Sequence, residues 1–524
     1  MTRSTWPASR RYRRLCILHL LDILFAFLIL QSTGEMLNVC TDQIPNLYQI
    51  RPSETTNHTI PNITYKGNIL YGDYPHFIVR PPLDSSSSGR QTYDSLFVLI
   101  MGTKGKSDQE SDETQRWDFC PFSSTHHKLT YPLMVSISCC VQIFLSSIIG
   151  YAPRASCFIK SAAMSLTDIP IISLTYHYID TRDDERNENC ASLSYYDDNT
   201  KTYNVENQID CLEQQHIDAI EGGSYGASHY MSDDDSSPFW GEILPENSLQ
   251  QRLVDLLLTL DERFPNDGWS EFLIDNPNSS GDNGYNTSFL PRWASMIVAG
   301  HSQGAGHVAY LAKVQHLRGA VLVSGPQDEC VNCTDGTKFW IDSDPDITHD
   351  HRIPTSYTAF AHVDEPMLSI MGDNWKRIKD SYPSSVNWIS AEPWNIQSMF
   401  HTEISDAYSY PLLTSIPYAN TSQCDIKEHC STMVDDSAPV LESDDGSRFY
   451  LYEASVWPAI IKAACYERQR REQTRIWNGV MSLLSTLILG LAYVFHHTSG
   501  DRKANHTDSN ISSSFDYCKG TDMA

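Results

Sequence analysis

Positive charge is scarce in this chain: 38 Lys+Arg stand against 65 Asp+Glu over 524 residues, a formal net charge of -27. Phosphate backbones are bound by clustered Lys and Arg, so a nucleic-acid partner is excluded as a leading reading. The acid is spread through loops such as Met231-Ser-Asp-Asp-Asp235 and reads as solvated surface. No internal repeat is present, which excludes a solenoid or a propeller. Cys330-Val-Asn-Cys333 has no second CxxC to accompany it, so a four-ligand zinc site is not expected.

Long apolar runs are few, and two of them bear on compartment. Arg3, Arg10, Arg11, Arg13 and Arg14 precede the apolar stretch Leu15 to Leu30 and the small, polar Gln31-Ser-Thr-Gly34. That order is the pattern of a secretory signal peptide over residues 1–34, with an uncleaved signal anchor as the alternative. Residues 476–496 are long and apolar enough for a transmembrane helix, with Trp477 and Tyr493 near its ends. Arg468, Arg470, Arg471 and Arg475 precede this segment, a bias that would keep the main domain cytosolic. Large domains translocate regardless of flanking charge, so the signal decides for a lumenal or extracellular main domain. Residues 497–524 form a polar tail. The chain has 14 Cys, and Cys190 with Cys211 and Cys424 with Cys430 are disulfide candidates in an oxidising compartment. Acceptor sequons for glycosylation fall at Asn57, Asn62, Asn278, Asn286, Asn332 and Asn420.

Between these ends the hydrophobic pattern alternates. Residues 35–92 hold short β-like runs such as Pro75 to Arg80 and end in the linker-like Ser85-Ser-Ser-Ser-Gly89. Ser95–Met101 is a continuous apolar run, as expected for a strand buried on both faces, and further strands are expected at Ile169–Tyr176, Trp293–Ala299, Gly319–Ser324 and Thr355–Ala361. Helices are expected over Cys157–Leu166, over Leu249–Leu260 with leucines at helical spacing, and after Gly304. Strands alternating with helices predict an α/β fold, a mostly parallel sheet flanked by helices, across residues 93–465. Insertions interrupt it at about 104–155 and 181–245. Within the first, residues 117–150 read as a lid, a membrane-surface segment, a second span or non-coding sequence carried into the gene. The second reads as a lid or surface insertion.

The strongest chemical signal is Gly300-His-Ser-Gln-Gly304, set between the expected strand 293–299 and the following helix. A G-x-S-x-G pentapeptide in that context is a nucleophile elbow: a sharp turn holds the serine hydroxyl above the sheet, beside a helix N-terminus that favours negative charge. Ser302 is therefore the candidate nucleophile. The longer run Val298-Ala-Gly-His-Ser-Gln-Gly-Ala-Gly-His307, followed by Ala320-Val-Leu-Val-Ser-Gly-Pro-Gln-Asp328, resembles the α/β-hydrolase superfamily, and in it an uncharacterised bacterial-type branch reading GHSQGAGH at the elbow. The resemblance covers roughly residues 95–460.

That resemblance implies a Ser-His-Asp triad in the chain order nucleophile, acid, base. It places the acid at Asp364, after the fifth strand, with Asp328 as the rival at the end of the preceding strand. It places the base at His429, in Glu428-His-Cys-Ser-Thr-Met-Val-Asp435, with His401 as the rival. Cys430 stands where the family pattern has Gly. His301 and His307 lie too close to Ser302 in sequence to be this fold's base, and His301 is expected to shape the elbow. The oxyanion hole would take one backbone N–H from Gln303 and a second from Gly102 or Thr103. The implied activity is carboxylic ester hydrolysis through an acyl-enzyme, on a small-molecule or lipid-like acyl substrate, with no metal or organic cofactor. Thioester, amide or acyl-transferase chemistry would use the same groups. The alternative is a catalytically silent binding or adhesion protein on the same scaffold.

Overall fold

The computed structural model describes residues 44–55, 63–81, 93–101, 155–176, 183–223, 243–277, 288–342, 355–381, 394–395, 411–442 and 448–465, together with 481–482 and 485–486; within these ranges 45, 66–67, 71–74, 335–336, 420–425, 436 and 454–455 are not described. The chain divides into two units, residues 1–468 and 469–524. All described elements of the sheet belong to the first. Among the described residues, no helix is long and apolar enough to cross a membrane. The expected signal at 1–34, the insertion 117–150, and all of the expected span at 476–496 except 481–482 and 485–486 lie outside the described residues.

The sheet has nine strands: β1 (Leu47–Ile50), β2 (His76–Val79), β3 (Leu96–Ile100), β4 (Ile171–Leu174), β5 (Met296–His301), β6 (Gly319–Val323), β7 (Ser356–His362), β8 (Trp394–Asn395) and β9 (Leu412–Thr414). Their spatial order is β1-β2-β4-β3-β5-β6-β7-β9-β8. β2 runs antiparallel to both β1 and β4, and every pairing from β4 across to β8 is parallel. Parallel strands need both faces covered, and β3, β4, β5, β6 and β7 are buried at every position. The continuous apolar run of β3 was the reason for expecting it in the sequence.

Helices supply the cover: α1 (Ser156–Ser165), α2 (Asp183–Ser192), α3 (Glu206–Glu221), α4 (Leu249–Arg263), α5 (Gln303–Val314), α6 (Leu368–Ser381), α7 (Lys427–Ser431) and α8 (residues 456–465). Phe158 of α1 meets Phe97 of β3 and the edge of Trp457 of α8, with ring centroids 6.3 and 5.8 Å apart. α4 begins at Ser248, whose hydroxyl caps the helix by accepting from the Gln251 N–H at 3.2 Å. α5 packs on β3, β5 and β6, while α3 packs on α4 and α5. One expected boundary shifts: Trp293–Ser295 is a 3-10 turn, and β5 starts at Met296 and continues through His301. The insertion at 181–245 is structured where described, as α2, a hairpin (Tyr195–Asp197 with Thr202–Asn204) and α3. A Cys190–Cys211 disulfide ties α2 to α3, as the spacing of those cysteines suggested.

The chain crosses from β3 to β4 on one side and then returns to β5 on the other. In open parallel sheets such a reversal leaves a crevice at the carboxyl ends of the strands, where ligands bind. The turn from β5 into α5 sits at that reversal. Gly304 makes the turn fit, since a Cβ there would lie 2.3 Å from the Ile100 carbonyl oxygen at the end of β3. Gly304→Ala is therefore expected to destabilise the fold by about 1–3 kcal/mol through overpacking. Thermal unfolding of the full chain checks this, and an unchanged midpoint would contradict the close approach.

Candidate active site

Ser302 stands between β5 and α5 with φ 59° and ψ -129°. A non-glycine residue reaches that region only when its surroundings force it there. Here the Ser302 N–H donates to the Val323 carbonyl at 2.9 Å, extending the β5–β6 ladder by one residue, and the Ser302 carbonyl accepts from the Ala305 N–H at 2.8 Å, opening the helix. Strand and helix thus fix the serine backbone from both sides. Gln303 is the first residue of α5, where backbone N–H groups have no acceptor within the helix. Its proposed oxyanion partners, Gly102 and Thr103, lie outside the described residues, as does the rival base His401.

His429 lies in the short helix α7 and is buried. Its backbone carbonyl accepts from the Nε2–H of His301 at 3.0 Å and from the Thr432 hydroxyl at 2.9 Å. The His301 and His429 rings pack with centroids 4.8 Å apart. The residue before Ser302 thereby touches α7. Trp457 of α8 secures the same turn, its Nε1–H donating to the Thr432 carbonyl at 2.8 Å. Cys430, where the family pattern has Gly, is disulfide-bonded and sits inside α7.

The carboxylate against His429 is Glu365. His429 Nδ1 lies 2.5 Å from Glu365 Oε1, and the two side chains are 3% and 1% exposed. Glu365 accepts two further hydrogen bonds, from Gln327 Nε2 to Oε1 at 3.1 Å and from the Ser324 hydroxyl to Oε2 at 2.9 Å. An ionised carboxylate only accepts, so against an ionised Glu365 the hydrogen of the His429 contact would reside on Nδ1. That leaves Nε2 as the ring's acceptor, and among the described residues Nε2 is buried with no hydrogen-bond partner.

Neither expected acid occupies this place. Asp364 is 76% exposed, and its carboxylate lies 3.9 Å from His362, not against His429. Its backbone N–H donates to His362 Nδ1 at 3.1 Å, a turn that sends the Asp364 side chain outward and the next one inward. Asp328 is buried but committed elsewhere. It pairs with Arg186 of α2, and His216 Nε2 of α3 donates to its second oxygen at 2.7 Å. Burial opposes its ionisation, yet Arg186 and then His216 outweigh that and hold the carboxyl well below the usual carboxylate range. His216 also contacts His307 of α5, Nδ1 to Nδ1 at 2.9 Å. Sequence spacing carried no signal for Arg186 or His216, because their partner is more than a hundred residues away.

Cys330 and Cys333 are joined as a disulfide, and no group of three or more ligating side chains that could hold a metal occurs among the described residues. No protein-family model and no curated protein matches the chain. Among solved structures it is similar to EstE1, a thermophilic and thermostable carboxylesterase cloned from a metagenomic library, at 9% identity over 67% of this chain and 82% of that one, with a TM-score of 0.24. It is similar to an esterase of Pyrobaculum calidifontis at 10% identity over 72% and 86%, with a TM-score of 0.23. The BES protein of Bacillus cereus shares 7% identity over 65% and 86%, with a TM-score of 0.25. At that level of overlap the functional reading rests on the chain's own geometry.

Burial, reinforced by the neighbouring His429, pushes His301 down to about 3. Burial likewise holds His307 well below its ordinary value, with His216 and Arg186 adding to it. An unfolded histidine binds a proton below about pH 6.5, whereas folded His301 stays neutral down to about 3. Through that window the unfolded chain binds more protons, so stability is complete above it and declines as pH falls. The limiting slope is about 1.4 kcal/mol per pH unit for each such histidine. Urea unfolding between about pH 7 and about pH 4 should show this loss, flattened in His301→Asn. A slope unaffected by that substitution would contradict the burial of a neutral His301.

Proposed function

We propose that this chain is a serine hydrolase of the α/β-hydrolase type, cleaving a carboxylic ester through a Ser302–His429–Glu365 triad. The observation that carries the reading is the buried His429–Glu365 pair, joined through His301 to the strained turn that presents Ser302. The chain order Ser302, Glu365, His429 is the order this fold uses.

In the proposed reaction His429 Nε2 takes the hydroxyl proton as Ser302 Oγ bonds to the acyl carbon. The carbonyl electrons move onto oxygen, where the Gln303 N–H and one from Gly102 or Thr103 would receive the charge. Collapse expels the alcohol, protonated by His429, and leaves an acyl-Ser302. Water, deprotonated by His429, then releases the acid and restores the serine. Glu365 keeps the proton on Nδ1 throughout and stabilises the imidazolium that forms twice per turnover. Ser324 and Gln327 keep that carboxylate aimed.

A secretory location fits the two disulfides described above, since such bonds persist in oxidising compartments. We place the hydrolase domain on the lumenal or extracellular side, tethered through residues 476–496. The substrate class is a small-molecule or lipid-like acyl ester.

Labelling of the full chain with a fluorophosphonate probe tests the chemistry. Ser302→Ala and His429→Ala are expected to abolish labelling, and Glu365→Gln to slow it by roughly 10²–10⁴-fold. Asp364→Asn should leave the rate near that of the native chain. An unlabelled but folded native protein would overturn the reading, and equal losses from Asp364→Asn and Glu365→Gln would overturn the assignment of the acid.

A further inference from the structure

The segment Gly325–Glu329, which follows β6, is held from two directions at once. On the sheet side, Gln327 reaches Glu365 through its side chain, and its Nε2 also donates to the Ser324 carbonyl at 3.1 Å. From α6, Asn374 Nδ2 donates to the carbonyls of Asp328 and Pro326 at 2.8 and 3.1 Å, and Trp375 Nε1–H donates to the Gly325 carbonyl at 2.8 Å. These contacts fix the segment's backbone but leave the Gln327 carbonyl to be satisfied from elsewhere.

The remaining partner comes from the insertion. Asn187 of α2 is 2% exposed and straddles the segment: its Nδ2 donates to the Gln327 carbonyl at 2.9 Å, and its Oδ1 accepts from the Glu329 N–H at 3.2 Å. Arg186, beside it in sequence, pairs with Asp328 between those two residues, and His216 of α3 takes the other Asp328 oxygen. Three consecutive residues of the segment are therefore gripped by side chains of α2 and α3. One of those three carries the side chain that aims Glu365 at His429.

We propose that Asn187 is a positioning residue for the triad, acting through Gln327 on the Glu365–His429 pair. The insertion then completes the support of the acid. The path is short and continuous: Asn187 Nδ2 to the Gln327 carbonyl, then Gln327 Nε2 to Glu365 Oε1, then Glu365 to His429 Nδ1. Without Asn187 a buried carbonyl and a part-buried N–H lose their partners together, and the segment is free to turn Gln327 away from Glu365. The inference rests on the serine-hydrolase reading.

The test is a double-mutant cycle on the full chain, read as fluorophosphonate labelling over a range of probe concentrations. Asn187→Ala is expected to lower the limiting rate of labelling about tenfold, the size of one lost buried hydrogen bond expressed as a rate, with half-saturation by the probe unchanged. Gln327→Ala should lower it by a similar or larger factor, and the double variant should be no worse than Gln327→Ala alone. Ser194→Ala serves as the control. It removes a contact between the insertion and the loop beyond Cys330, where Asn332 Nδ2 donates to Ser194 Oγ at 2.5 Å, and should leave the rate near native. Where Asn187→Ala does not fold, judged by its thermal midpoint, Asn187→Ser takes its place in the cycle. Independent, multiplying losses from Asn187 and Gln327, or an equal loss from Ser194→Ala, would overturn the proposal. Native labelling with no effect of Asn187 would overturn it while leaving the hydrolase reading intact. Absence of labelling in the folded native chain would overturn both.

Discussion

The contact between His429 Nδ1 and Glu365 joins pieces of chain that are otherwise far apart. Glu365 follows β7 directly, whereas His429 arrives after β8, β9 and a long connection, a separation of 64 residues. Both are buried, so each needs the other: a carboxylate and an imidazole removed from water are costly unless paired and hydrogen-bonded. Around them the structure supplies the remaining donors and acceptors, Ser324 and Gln327 for the carboxylate, and His301 and Thr432 for the carbonyl of His429. The one ring atom left over is Nε2, the atom a hydrolytic base would use.

This arrangement explains why the elbow is built so tightly. Ser302 can hold an unfavourable backbone conformation because β5, β6 and α5 determine its two neighbouring peptide groups. His301 then converts the elbow into a reference point for α7, so the serine turn and His429 are placed by the same short piece of chain. The insertion contributes a third anchor through Arg186, Asn187 and His216, all fixed on the segment after β6. Strong net acidity does not oppose this, because the charges that matter are few, buried and paired.

Much of this was legible in the sequence, and the reason is locality. β3 and β6 announce themselves as unbroken apolar runs, since a parallel strand buried on both faces has no polar side to show. The elbow is equally local: strand, Gly-x-Ser-x-Gly and helix occupy consecutive residues. The sequence reading put the acid at Asp364, one residue before the carboxylate that lies against His429. Asp364 and Glu365 are adjacent at the end of β7, and which one turns inward depends on the backbone bond that Asp364 makes to His362, a detail of turn geometry that residue type does not reveal. Asp328 looked like a rival for a sound reason, being an acid at the end of the preceding strand. It was already engaged by Arg186 and His216, two residues from an insertion whose polarity suggested a lid or a surface segment. Pairings across such separations leave no periodicity behind, and α2 and α3 are held by a disulfide and by buried polar contacts instead of by a strong apolar stripe.

The account's central claim is that Glu365, and not its neighbour Asp364, holds the imidazole of His429. The most direct measurement is the far-downfield proton spectrum of the full chain at low temperature, where an Nδ1–H bound to a buried carboxylate stands apart from other signals. The account predicts one such resonance that vanishes in His429→Ala and Glu365→Ala and persists in Asp364→Asn. A resonance that survives Glu365→Ala and disappears with Asp364→Asn would contradict it.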